Sequence, residues 1–184
     1  MKILILGADG MIGHCMFKHL RLKHDVRGTL HYDSANYRSS VLFDSNNIFF
    51  NLDVVRQDQV SRIMEQFGPD IVINATGIIK QRAESYSVAE LIEVNALVPH
   101  RLVDICAEFK ARLMQFSTDC VFSGKKGSYS ENDIADAEDV YGRTKYLGEV
   151  NASNCLTIRT SSIGLEIGRK ELREFQRLLI LIRR

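Results

Sequence analysis

This 184-residue sequence predicts an α/β fold, a doubly wound parallel sheet with strand order 3-2-1-4-5-6. Three observations carry that expectation. Apolar runs of strand length alternate with segments whose apolar residues recur at helical spacing. The strand segments at 3–6 and 71–73 are wholly apolar, as for strands covered on both faces. The first of them runs directly into a cluster of glycines, Gly7, Gly10 and Gly13, ahead of a helical pattern.

Taken in order, residues 3–6 form the first strand, and the helix after the glycines places Ile12, Cys15, Met16, His19 and Leu20 on one face. A second strand is expected over 25–30 and a third over 48–52. Val60, Ile63, Met64 and Phe67 mark an amphipathic helix that Gly68 and Pro69 stop. The fourth strand follows at 71–73. From 88 to 109, Leu91, Ile92, Leu97, Val98, Leu102, Val103, Ile105, Cys106 and Phe109 fit a long helix that Pro99 should kink or divide. A fifth strand over 113–116 leads into the polar stretch 123–139, long enough for a functional loop over the carboxyl edge of the sheet. A helix from about Val140 then precedes a sixth strand at 156–159.

The 24 Lys and Arg against 23 Asp and Glu, with 45% apolar residues, fit one ordinary domain with a real core. A net charge of +1 removes the main electrostatic argument for a nucleic-acid binder. The basic excess is local, with six Arg or Lys and two Glu in residues 169–184. Cys15, Cys106, Cys120 and Cys155 are too far apart for a CxxC pair, so reduced, mostly buried thiols are expected and no metal site. His14, His19, His24 and His100 read as helix or loop residues rather than ligands. The apolar runs at 3–6 and 178–182 are too short for a signal-peptide core or a membrane span, and the expectation is a cytoplasmic protein.

Gly7, Gly10 and Gly13 make a GxxGxxG at the strand-to-helix junction, a Rossmann-type feature. A turn without side chains lets a pyrophosphate approach backbone N–H groups at a helix N-terminus, here around Met11 and Ile12. The spacing differs from the GxGxxG of ordinary dehydrogenases and resembles the short-chain dehydrogenase/reductase superfamily. Tyr141 and Lys145 form that superfamily's YxxxK, with both side chains on one helical face. Ser117, Thr118 and Asp119 end the fifth strand, where a hydroxyl can face the same cleft. A free Tyr phenol titrates at about 10, and a nearby Lys145 ammonium is expected to lower that value. Tyr141 then donates a proton to the developing alkoxide, Thr118 holds the substrate oxygen, and a nicotinamide supplies hydride.

The run Ser117, Thr118, Asp119, Cys120, Val121, Phe122, and the run Tyr141, Gly142, Arg143, Thr144, Lys145 with Gly148 and Glu149, resemble the STDYVF and YGxTKxxGE segments of dTDP-4-dehydrorhamnose reductases. These are extended short-chain reductases that act on nucleotide sugars. The resemblance runs from Lys2 to about Gly164 and includes Asn74, Ala75, Thr76 and Gly77, then Arg159, Thr160 and Ser161. It implies a catalytic trio of Thr118, Tyr141 and Lys145. It also implies cofactor contacts from Gly7, Gly10, Met11, Ile12, Gly13, His31, Asp53, Val54, Ala75, Thr76, Gly77, Ser117, Tyr141 and Lys145, with Asp53 and Val54 at the adenine ring. Cys120 stands where the family usually has Tyr. A sugar-nucleotide 4,6-dehydratase would show Asp then Glu after the Thr, and 4-epimerases a second Ser and a small residue in place of Thr118 and Asp119.

NADP(H) is expected over NAD(H), because the second strand ends in Thr29, Leu30 and His31 without a carboxylate, and Arg27 and Arg38 are nearby. Asp33, 20 residues beyond Gly13, is the alternative if that strand runs longer. Asn95 reads either as a cleft residue or as a partner for the helix backbone beside Pro99. The family continues into a sugar-binding domain, whereas here the resemblance fades after Gly164. The expected organisation is a cofactor-binding domain over 1–164 and a short basic tail, 165–184, in place of the substrate domain. In that tail Leu172, Phe175, Leu178, Leu179 and Ile182 share a helical face that calls for another subunit or a partner chain. The function implied is reduction of a keto group on a nucleotide-activated deoxysugar for surface-polysaccharide precursors, with little turnover by the chain alone. A non-catalytic NADP-binding regulatory protein, as in the reductase-like subunit of methionine adenosyltransferase, is the alternative, and a nucleotide-sugar epimerase a further one.

Overall fold

Six parallel strands form one sheet in the order β3-β2-β1-β4-β5-β6. They are β1 (Lys2–Leu6), β2 (Asp25–Thr29), β3 (Ile48–Phe49), β4 (Ile71–Asn74), β5 (Arg112–Ser117) and β6 (Cys155–Arg159). The helices are α1 (Met11–Leu20), α2 (Gln57–Phe67), α3 (Val88–Ile92), α4 (Val98–Glu108) and α5 (Val140–Leu147). The computed structural model describes residues 1–37, 40 and 42–162. The expected tail and Arg38 lie outside the described residues.

The sheet is the doubly wound one that the alternation predicts, and β1 shows why its strands read as unbroken apolar runs. Ile3 and Ile5 face Phe17 of α1, Val26 and Ile73 on one side. Leu4 and Leu6 face Val60 and Met64 of α2 and Leu102 of α4 on the other. Each such fully buried side chain stabilises the fold by roughly 1.5–3 kcal/mol, so both layers are anchored on Ile3 to Leu6 of the same strand. Gly68 ends α2 in the left-handed conformation (φ 63°) and donates its N–H to the Met64 carbonyl at 2.8 Å.

Four expectations change. On α1 the buried positions are Gly13 and Phe17, while Cys15 and His19 are exposed. The close approach of Gly13 to the glycine turn sets that rotation. Of the four thiols, all free, only Cys106 is buried. The third strand keeps ladder geometry for two residues only, because Asn51 turns left-handed (φ 59°), although Leu52 N–H returns to the Leu30 carbonyl at 2.9 Å. The long helix is not kinked at Pro99 but interrupted by a π turn, Glu93–Leu97. Val98 N–H then reaches back to the Glu93 carbonyl, and Pro99 falls in the first turn of α4, where a missing N–H costs nothing.

Candidate active site

Parallel topology brings the chemistry to one edge of the sheet. The glycine turn follows β1, His31 follows β2, Asp53 and Val54 follow β3, Ala75 to Gly77 follow β4, and Thr118 follows β5. The turn is pinned to its neighbours by backbone bonds, Ala8 N–H to the Thr29 carbonyl and Ala75 N–H to the Leu6 carbonyl, each 3.0 Å.

The three glycines do different things. Gly7 is left-handed (φ 76°), and a Cβ on it would stand 2.9 Å from Thr76 Cγ2. A Cβ on Gly13 would stand 2.0 Å from the Gly7 carbonyl oxygen, so Gly13 is what lets α1 start against the turn. Gly10 is different, since a Cβ there would meet nothing closer than the Gly7 oxygen at 3.5 Å, an ordinary contact. The fold itself does not need that position empty. Gly10 is also the N-cap of α1, offers no side chain to the first N–H groups, and no acidic residue occupies the first turn. That combination fits the pyrophosphate of a dinucleotide.

Around the turn, Asn74 Nδ2 donates to Gln115 Oε1 at 2.7 Å inside the sheet, and Asn74 Oδ1 accepts from Thr76 N–H at 3.1 Å, which shapes the loop after β4. Asp9 accepts from the buried Tyr37 hydroxyl at 2.7 Å and ties the glycine turn to the segment after β2. Burial, with Asp9 second, raises the Tyr37 phenol above its usual range. His31 Nδ1 lies 3.3 Å from the Leu52 carbonyl. Asp53 accepts from Val55 N–H at 3.1 Å and opens the approach to α2. Asp33 lies beyond β2, with its carboxylate accepting from Ala35 N–H at 2.6 Å to start a local turn.

Across the sheet, α5 carries the second half of the site. Asp139 caps it, accepting from Gly142 N–H at 2.8 Å and from Lys80 Nζ at 3.0 Å. Two glycines then let α5 pack closely at both ends. A Cβ on Gly142 would stand 2.3 Å from the Cys120 carbonyl oxygen, and one on Gly148 1.9 Å from that of Asn95. The first contact sets Tyr141 beside Thr118. The second sets the end of α5 on the π turn. Asn95, 1% exposed in that turn, clamps the loop after β4 with both amide atoms, accepting from Ile78 N–H at 2.9 Å and donating to the Ile78 carbonyl at 3.0 Å. It satisfies that loop rather than the helix beside Pro99.

Thr118, Tyr141 and Lys145 therefore converge, but not with the expected electrostatics. Burial raises the Tyr141 phenol, and the Thr118 hydroxyl pulls in the opposite direction. The side chain of Lys145 is sunk beside the strand, where Nζ donates to the Phe116 carbonyl at 2.8 Å and burial pushes it down to about 8, against the pull of Glu149. Tyr141 thus stands above its usual value where a lowered one was expected, because burial outweighs the attraction of a neighbouring ammonium. A raised phenol stays protonated at neutral pH, which is the form a proton donor needs.

Two contacts were not read from the sequence, the grip of Asn95 on Ile78 and the pairing of Glu149 with Arg159 and Ser117. The Gly148–Glu149 pair within the second motif was the available signal for both. Among the described residues, no group of three or more His, Cys, Asp or Glu is placed to hold a metal, and no helix is long and apolar enough to cross a membrane.

Comparison with known proteins gives this geometry a family. The chain is 30% identical over 149 residues to a dTDP-4-dehydrorhamnose reductase of Aggregatibacter actinomycetemcomitans, covering 80% of this chain and 45% of that protein. It is 30% identical over 183 residues to the dTDP-4-dehydrorhamnose reductase of Burkholderia thailandensis, covering 97% and 55% respectively. The chain thus spans about half the length of the curated relatives it matches. The crystal structure of dTDP-4-dehydrorhamnose reductase from Bacillus anthracis, in complex with NADP, has the same fold, with a TM-score of 0.74 at 23% identity, over 96% of this chain and 59% of that one. The model of the RmlD substrate binding domain matches residues 1–180, and the chain belongs to that family.

Proposed function

We propose that this chain carries the cofactor site and proton-donating residues of an NADP-dependent reductase acting on a keto group of a nucleotide-activated deoxysugar. The observation that carries the reading is the meeting of an open glycine turn with Thr118, Tyr141 and Lys145 at one edge of the sheet. Gly7, Gly10, Gly13, Met11 and Ile12 hold the pyrophosphate. Ala75, Thr76, Gly77, Ser117, Tyr141 and Lys145 line the nicotinamide side, and His31, Asp53 and Val54 the adenosine side. The preference for NADP rests on the strand end Thr29, Leu30 and His31, which offers no carboxylate to a ribose. The relatives named above support both the substrate class and the cofactor.

The chemistry a bound reduced nicotinamide supplies is a hydride for the carbonyl carbon. The residues of the chain handle the oxygen. Thr118 holds it by hydrogen bond, and Tyr141, kept protonated by burial, gives up its phenolic proton as charge develops there. Lys145, a cation at neutral pH, stabilises the phenolate left behind. We assign residues 1–164 to this cofactor-binding unit. Exposed Leu97, Tyr146 and Leu147 on the π turn and α5 form an apolar surface that a sugar-binding part of the protein or a second subunit would cover.

Calorimetric titration with NADPH and NADH tests the cofactor, with tighter binding of NADPH expected and equal or tighter NADH binding overturning that preference. Oxidation of NADPH with a dTDP-4-keto-6-deoxyhexose tests the reaction, any turnover being lost in Tyr141→Phe. Turnover that survives this substitution would remove Tyr141 from its role.

A further inference from the structure

Glu149, just past the end of α5, is held by side chains from two strands. Arg159 takes both carboxylate oxygens, Nε to Oε1 at 2.8 Å and Nη2 to Oε2 at 2.7 Å, and Ser117 Oγ donates to Oε1 at 2.7 Å. The side chains of Glu149 and Arg159 are 13% and 24% exposed, so this is an enclosed bidentate pair joining β5, β6 and the end of α5. Arg159 also reaches the long loop, donating from Nη1 to the Glu131 carbonyl at 3.2 Å and lying over the Phe122 ring at 5.1 Å.

The residue before Ser117 is Phe116, whose carbonyl accepts from Lys145. Lys145 and Glu149 are therefore four residues apart along the chain and fastened to adjacent residues of β5. Lys145 is 8% exposed. Its ammonium has as neighbours the Phe116 carbonyl on β5 and Gly77 of the loop after β4, with the Asn95 amide beside that glycine. Among the described residues the charge that acts on it is that of Glu149.

Resting on the reading of Lys145 as part of a reductase site, we propose that Glu149 is a positioning residue for that site: held by Arg159 and Ser117, it locks the end of α5 to β5 and β6 and supplies the counter-charge for the buried Lys145 ammonium. Arg159 has the opposing influence, since it shares the carboxylate charge that Lys145 would otherwise receive. The two partners of one ion pair thus act on Lys145 with opposite signs.

The test is the titration of Lys145 itself, followed by side-chain NMR on protein with isotope-labelled lysine and assigned by the resonance missing in Lys145→Met. No cofactor or substrate is present, so the outcome is independent of whether the chain binds NADPH, and calorimetry answers that separately. Glu149→Gln lowers the Lys145 midpoint by about half a pH unit or more. Arg159→Met raises it. The double variant Glu149→Gln with Arg159→Met leaves neither member of the ion pair unmatched and so keeps the test open where a single variant fails to fold; it lowers the midpoint, because the charge that acts on Lys145 is that of Glu149. A midpoint unchanged or raised in Glu149→Gln or in the double variant overturns the proposal, as does a fall in Arg159→Met.

Discussion

The turn after β1 is built from missing atoms, whereas the face of α5 across the cleft is built from buried charge. In the turn, Gly7 and Gly13 close on each other at distances that exclude any Cβ, and backbone bonds to β2 and β4 complete the structure. On α5, glycines 142 and 148 likewise permit contact, but what fills the space is an ammonium, a phenol and a bidentate ion pair. The first arrangement is rigid and nearly independent of pH. The second holds a buried charge that works against folding, so the two halves of one cleft should respond to different perturbations.

The largest expected effect comes from adding one methyl group to the first half. In Gly13→Ala the new Cβ meets the Gly7 carbonyl at 2.0 Å, backbone against backbone, with no flexible neighbour to yield. A stability loss of about 3 kcal/mol or more is expected, together with loss of dinucleotide binding. Urea unfolding checks it, and a loss below about 1 kcal/mol would mean that the turn can open.

Charge removal in the second half should act in the opposite direction. Lys145 is held near 8, below its unfolded value of 10.5, so its burial disfavours folding most below pH 8 and the penalty fades as pH rises towards 10.5. Lys145→Met is therefore expected to gain about 1–3 kcal/mol at pH 7, less whatever the unpaired Phe116 carbonyl costs, and to lose that advantage by about pH 10. Stability measured against pH for the two proteins gives the answer. Parallel curves would show that the burial of this lysine has no influence on folding.

The smallest change in stability should come from Gly10→Ala, where the added Cβ finds only a contact at 3.5 Å. Folding stability is expected to stay within about 0.5 kcal/mol, while NADPH affinity falls roughly tenfold or more, about 1.4 kcal/mol. Calorimetry beside a thermal melt separates the two. Unchanged affinity would remove Gly10 from the cradle and leave the turn a purely structural feature.

The same contrast explains which parts of the molecule could be read from the sequence. Glycine carries a local meaning, so the spacing of Gly7, Gly10 and Gly13 after an apolar strand already placed a ligand turn at the start of α1. The apolar run of Ile3 to Leu6, the Val60 to Phe67 stripe and the apolar fourth strand likewise predicted the alternating parallel fold, because each signal lies within one element. The rotation of α1 did not follow the same logic. It depends on Gly13 touching Gly7, a contact that places Phe17 rather than Cys15 in the core.

Sequence alone therefore determined the fold class and the position of the glycine turn, since periodicity and spacing are properties of the chain itself, while the expectation of a Thr118, Tyr141 and Lys145 trio came from the resemblance to a family. The tertiary structure decided what surrounds those residues. The π turn that absorbs Pro99, the Asn95 clamp on Ile78, the raised phenol of Tyr141 and the grip of Arg159 on Glu149 each join segments distant in the chain. Desolvation and ion pairing depend on which atoms meet after packing, and no spacing rule along the chain encodes that.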